Sequence, residues 1–201
     1  MPKVVIPVYF DYASTLCYIA WRIVAELEAE MDFAALWKGV PIALRDYRDR
    51  PGRPLGPVEL GKVRSVVAET GIAVEPPAVW IDSGRALEGS ELAREANLFG
   101  PYHAAVFRAA FEDRRDIGDL KVLAAIVREI GMDAERFVDD LGRGRMAPRI
   151  AENRREADEF SALGYPTFML GDFPLIGIQP KETMRMLFGR FIARRLAEPQ
   201  A

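Results

Sequence analysis

The chain reads as an α/β protein: a strand–helix–strand opening and a strand–strand–helix ending enclose a long run of helices. Three observations carry this. Residues 3–40 pass from an apolar strand through an amphipathic helix to a second strand. From residue 58 to about residue 163 the helical period dominates. After Gly164 two short apolar runs meet at Gly171-Asp172, residues suited to a tight hairpin turn, before a final helix.

Lys3 to Phe10 is rich in Val and Ile, the composition of a buried strand, and Pro7 removes one ladder donor and predicts an edge or irregular position. From Leu16 to Met31, Ile19, Ile23, Leu27 and Met31 recur every fourth residue beside Leu16, Ala20 and Val24. Asp32 to Val40 follows as a strand with Phe33, Ala35 and Trp37 on one face, so the opening forms a parallel pair with a crossover helix. Five prolines or glycines between Pro51 and Pro57, with Arg45, Arg48, Arg50 and Arg53 interleaved, make residues 41–57 a mobile loop. Helices are then expected over Val58–Thr70, ending at Gly71; Ala86–Phe99, ending at Gly100-Pro101; Tyr102–Phe111; Leu120–Ile130; Asp133–Leu141; and from Pro148, at the first helical position, to Leu163. The strands Thr167–Leu170 and Phe173–Ile176 and the helix Lys181–Leu196 close the chain.

With 201 residues, half of them hydrophobic and 28% charged, the chain is long enough for a large core and has an ordinary globular composition. A net charge of −3 argues against nucleic acid or an anionic membrane surface as the main partner. No run approaches the length of a membrane span, and the N-terminus lacks the apolar core of a signal segment. One cysteine excludes an intramolecular disulfide and suits a reducing compartment, so a cytoplasmic protein is expected.

The chemistry centres on Ser14-Thr15-Leu16-Cys17, where the first strand gives way to the first helix. A C-x-x-C here would set a sulfur against the helix N-terminus, whose amides and dipole stabilise a thiolate. Ser14 replaces the first sulfur, and a single thiol cannot cycle to an intramolecular disulfide. Ser14 also suits the N-cap. Cys17, about one turn in, is either a small core hydrophobe or a monothiol that forms mixed disulfides. Asp11 is read as a strand-end carboxylate bonding local amides, and Tyr12 and Tyr18 as packing or pocket-lining rings. His103, the only histidine, has no ligand cluster at metal spacing and is placed on the surface of the helical block; no metal is expected.

With Ser14-x-x-Cys17 after the first strand and Gly164-Tyr165-Pro166-Thr167-Phe168 opening the third, the β-α-β … β-β-α order resembles the thioredoxin fold. The large all-helical insertion, with FRAAFEDRRDIGDLKVLAAIVREIGMD and the ending GYPTFMLGDFPLIGIQP, is similar to the DsbA-like branch. Its FrnE-like, 2-hydroxychromene-2-carboxylate isomerase-like and kappa-class glutathione transferase members are the nearest in kind. The resemblance implies a thioredoxin-like domain from residues 1–57 and 148–201 and a helical insertion over residues 58–147. It implies a cis Pro166, with the Tyr165 backbone offered to glutathione or an extended peptide. Asp82-Ser83-Gly84-Arg85-Ala86 is similar to an Asn-Ser/Thr-x-x-Ala pattern whose first residue contacts glutathione or substrate; a plain helix cap at Asp82 or Ser83 is the alternative.

Ser14 first matches the isomerases, and Cys17 second matches the oxidoreductases. The resemblance therefore implies Ser14 and Cys17 as catalytic residues and glutathione as the cofactor. A glutathione- or thiol-linked oxidoreductase with a degenerate active turn leads. A glutathione-dependent isomerase or transferase acting on an aromatic substrate is the alternative, and an inactive peptide-binding module the third. A homodimer is left open.

Overall fold

The computed structural model describes residues 4–42, 51–162 and 164–197. Strand β1 (Val4–Phe10), helix α1 (Thr15–Glu30) and strand β2 (Phe33–Gly39) form the opening unit, with β1 and β2 parallel. Helices α2 (Pro57–Thr70), α3 (Gly84–Glu95), α4 (Phe99–Phe111), α5 (Leu120–Glu129), α6 (Ala134–Gly142) and α7 (Ala147–Glu159) follow. Strands β3 (Thr167–Leu170) and β4 (Phe173–Ile176) and helix α8 (Lys181–Ala197) complete the order. The sheet runs β2-β1-β3-β4, with β3 antiparallel to both neighbours.

Alternation along β1 divides the core. Ile6, Val8 and Phe10 join the large cluster with α1 and α8, while Tyr9 points the other way to Val40, Ala157, Ala162 and Met169. Phe188 of α8 meets Phe33 and Phe168 edge-on at 5.2 and 5.5 Å. The large cluster continues without a break into the helical block through Phe107, Val127 and Phe137. Gly89 makes one close crossing there: a Cβ at this position would lie 2.3 Å from the Tyr102 hydroxyl oxygen.

The two margins of the sheet differ. On the outer side of β2, the Ala35 N–H donates to Glu28, and the carbonyls of Trp37 and Gly39 accept from Arg94 and Asn153. At the other margin, the Gly177 N–H bonds the Pro166 carbonyl, so strand alternation turns Pro174 and Ile176 outward. Pro174 offers that edge no donor.

Several expectations change. Pro7 lies on an interior strand, not an edge. The Val40 N–H bond to the Phe10 carbonyl turns residue 7 toward β3, and pairing with β3 is confined to Val8 and Tyr9. The helix expected to run to Phe99 stops at Glu95, and Gly100-Pro101 lies inside the first turn of α4. Proline is tolerated there because first-turn amides lack intrahelical acceptors. Asn97, at φ 58°, makes the break between the two helices. Pro148 is the second residue of α7 rather than the first. Of the loop expected over residues 41–57, Pro51 and Pro54 bridge to Trp80 and Val79, tying that end down. Lys3, Arg45, Arg48, Arg50 and Leu163 lie outside the described residues.

Candidate active site

The end of β1 turns into α1 through Asp11–Ser14, closed by the Ser14 N–H on the Asp11 carbonyl at 3.1 Å. Ser14 occupies the N-cap, and its Oγ accepts the Cys17 N–H at 3.3 Å. An oxygen that accepts this bond keeps its own hydrogen to donate elsewhere. Ser14 is 9% exposed, and Leu16 is the residue of the first helical turn that reaches the surface.

Cys17 lies among the core residues of α1, beside the Ser14 side chain, with no exposed surface. Burial pushes its thiol up to about 12, against the smaller opposing effect of Ser14. At neutral pH this sulfur is a thiol, and the helix N-terminus does not overcome the desolvation.

Asp11 is fully buried. Its Oδ1 accepts the Ala13 N–H at 2.8 Å, and its Oδ2 accepts the Ile42 N–H. Desolvation raises its pKa, while these bonds and the Ser83 hydroxyl favour the charged form. Ser83 stands at the N-cap of α3 without capping it; Asp82 instead accepts the Gly84 N–H at 3.1 Å. The pair read as ligand contacts or caps therefore divides: Ser83 is buried against Asp11, and Asp82 is at the surface.

Tyr165–Pro166 is a cis peptide bond. The register of β3 on β1, continued from Tyr9↔Thr167, brings Pro166 alongside Phe10 and Tyr165 alongside Asp11. The strand end, the N-terminus of α1 and the Pro166 loop therefore share one corner of the sheet. A cleft of about 410 Å³ opens by Asp82, between Trp80 and the end of α4 at Phe111, with Arg114 and Arg115 on its wall. The Tyr18 ring lies 5.1 Å from Phe111, and its hydroxyl donates to Glu112.

His103 is not on the surface of the helical block. It is 3% exposed, and its Nδ1 pairs with the Tyr12 hydroxyl at 2.9 Å. Burial and the charge of Arg94 hold it well below the ordinary histidine value. Tyr12, with no exposed surface, is a core residue rather than a pocket wall. The sequence pattern hides this link, because Gly100-Pro101 reads as a stop and puts Phe99 at the end of the preceding helix. With α4 starting at Phe99, residues 99, 103, 107 and 111 form one aromatic stripe at four-residue spacing. Among the described residues no helix is long and apolar enough to cross a membrane.

Known proteins share this architecture. The chain is 26% identical over 188 residues to the uncharacterized protein YwbO of Bacillus subtilis, covering 88% of this chain and 92% of that one. It superposes on 2-hydroxychromene-2-carboxylate isomerase with a TM-score of 0.75 at 21% identity, covering 98% of this chain and 100% of that one. The cytosolic disulfide reductase DsbM of Pseudomonas aeruginosa, solved with GSH, gives a TM-score of 0.68 at 19% identity, covering 96% and 98%. The model of the DSBA-like thioredoxin domain matches residues 5–191, and the chain belongs to that family.

Proposed function

We propose that the protein is a glutathione-dependent enzyme of isomerase or transferase type, with Ser14 as the contact for the glutathione sulfur. The observation that carries this reading is the division of the turn. The one protein sulfur is fully buried with a raised pKa, while Ser14, its neighbour at the helix N-terminus, is the residue of the pair that keeps some exposure.

The donor set suits a bound thiolate. The Ser14 O–H and the free amides at the start of α1 favour negative charge, and the Tyr165 backbone ahead of Pro166 offers edge groups to the peptide part. Glutathione would supply a sulfur nucleophile. The protein's own residues orient it and keep Cys17 out of competition. The aromatic substrate has a neighbouring cleft at Trp80 and Phe111. The GSH-bound relative and the isomerase of the same fold support this reading.

Calorimetry with glutathione tests it. Ser14→Asp retains an N-cap acceptor but removes the O–H donor and adds repulsion, so affinity is expected to fall about ten-fold or more. Cys17→Ala is expected to bind as the parent does. Equal affinity of parent and Ser14→Asp would reduce Ser14 to a helix cap. A Cys17–glutathione mixed disulfide formed on the native protein would return the chemistry to Cys17 and support the oxidoreductase reading.

A further inference from the structure

His103 sits where a phenylalanine would pack equally well. Its ring lies 4.8 Å from Phe10, 4.8 Å from Trp37 and 4.9 Å from both Phe99 and Phe107. Its Nε2 is buried with no hydrogen-bond partner, so the imidazole carries a desolvation cost that a hydrocarbon ring would avoid. The one polar contact it gains is Nδ1 to the Tyr12 hydroxyl.

Tyr12 belongs to the turn itself, between Asp11 and Ser14. Ser90 of α3, whose hydroxyl donates to the Leu87 carbonyl, lies beside the same phenol, and Arg94 of α3 lies 4.0 Å over Phe99 while donating to the Trp37 carbonyl. A continuous stack thus runs from the margin of β2 through Arg94, Phe99 and His103 to Tyr12. On the strand side, β3 pairs with only Val8 and Tyr9 of β1, and the Val40 N–H on the Phe10 carbonyl is the last bond to β2 before the turn.

We propose that His103 is a positioning residue of the active turn: acting through the Tyr12 hydroxyl, it lets the helical block fix Asp11–Ser14 against the start of α1. The histidine touches no ligand in this role. It holds the segment from which Ser14 presents its hydroxyl, and cutting the bond loosens the turn locally before the fold as a whole.

Cys17 is the natural probe, being the only cysteine and fully buried one turn into α1. An aromatic disulfide reagent, 5,5′-dithiobis(2-nitrobenzoate), reaches it only when the turn opens. Labelling rates are compared with global stability from urea unfolding for the parent, Tyr12→Phe and Val127→Ala, the last a core truncation in α5 remote from the turn. Tyr12→Phe keeps its ring contacts and is expected to label about ten-fold faster than its global stability accounts for. Val127→Ala is expected to label only as its global stability dictates. Should Tyr12→Phe not fold, His103→Phe cuts the same bond from the other side, with the same expectation. Labelling of the bond-cutting variant that merely tracks global stability, as for Val127→Ala, overturns the positioning role. The measurement needs no glutathione, so failure of glutathione to bind leaves its outcome unaffected.

Discussion

Two neighbouring residues anchor the active turn by opposite means. Asp11, on the sheet side, is a buried carboxylate held mainly by backbone amides of its own surroundings, at Ala13 and Ile42. Tyr12, on the helical side, is a neutral group held by a side chain 91 residues away. The first anchor is a carboxyl group with both oxygens bonded; the second is a phenol and leaves one buried nitrogen of His103 unpartnered. A turn that must present a hydroxyl accurately is thus fixed to both halves of the molecule. The local anchor sets the conformation of the turn, and the distant one sets its place against the helices.

The sharpest way to break the sheet-side anchor is Asp11→Ala. It leaves the Ala13 and Ile42 amides without their acceptor, and the net stability loss in urea unfolding is expected at about 2 kcal/mol, partly offset by removal of a buried polar group. A loss below experimental error would show that the carboxylate's burial cost cancels its bonds.

The helical-side anchor has a pH signature. His103 is held well below 6.5, so between its folded value and 6.5 the unfolded chain binds the extra proton. Its contribution is present above pH 6.5 and is lost as pH falls, at a slope of up to about 1.4 kcal/mol per pH unit. Asp11 works in the other direction. Its folded pKa is raised from 3.8, so the native state binds the extra proton and stability falls as pH rises from 3.8 toward the folded value. Urea unfolding of the parent and His103→Phe through the acid range separates the two: the variant is expected to lose the histidine slope and keep the carboxylate trend. An unchanged slope would assign the effect to other groups.

The smallest effect sharpens the contrast where the anchors touch. Ser83→Ala removes the one hydroxyl of the helical block that supports Asp11, and a loss of about 1 kcal/mol is expected. A loss as large as that of Asp11→Ala would mean that the two anchors act as one network.

What could be read from the sequence follows the same division. The strands at Val4–Phe10 and Thr167–Leu170, the helix after Ser14 and the left-handed Gly71 are written in local pattern, and the structure has them. The Ala13 bond of Asp11 and the capping by Ser14 lie within three residues and are equally legible, whereas the Asp11 bond to Ile42 is tertiary. His103 is not legible, because its meaning rests on tertiary packing and on a helix boundary. A Gly-Pro pair suits the start of a helix as well as the sequence just past its end, and reading it as a stop hid the Phe99–His103–Phe107–Phe111 stripe. The burial of Cys17 belongs to the same class: periodicity puts it beside Ala20 and Val24, but only the packed core shows that no surface remains.

The margins of the sheet decide how this molecule can meet its own kind. A strand arriving at β2 finds the Ala35, Trp37 and Gly39 backbone groups already taken by Glu28, Arg94 and Asn153. One arriving at β4 meets Pro174 and a broken row of donors, although Phe173 and Ile176 are exposed beside it. The β2 edge thus spends three of its outward groups within the molecule, and the β4 edge lacks a donor at Pro174, so each offers an added strand a shortened ladder.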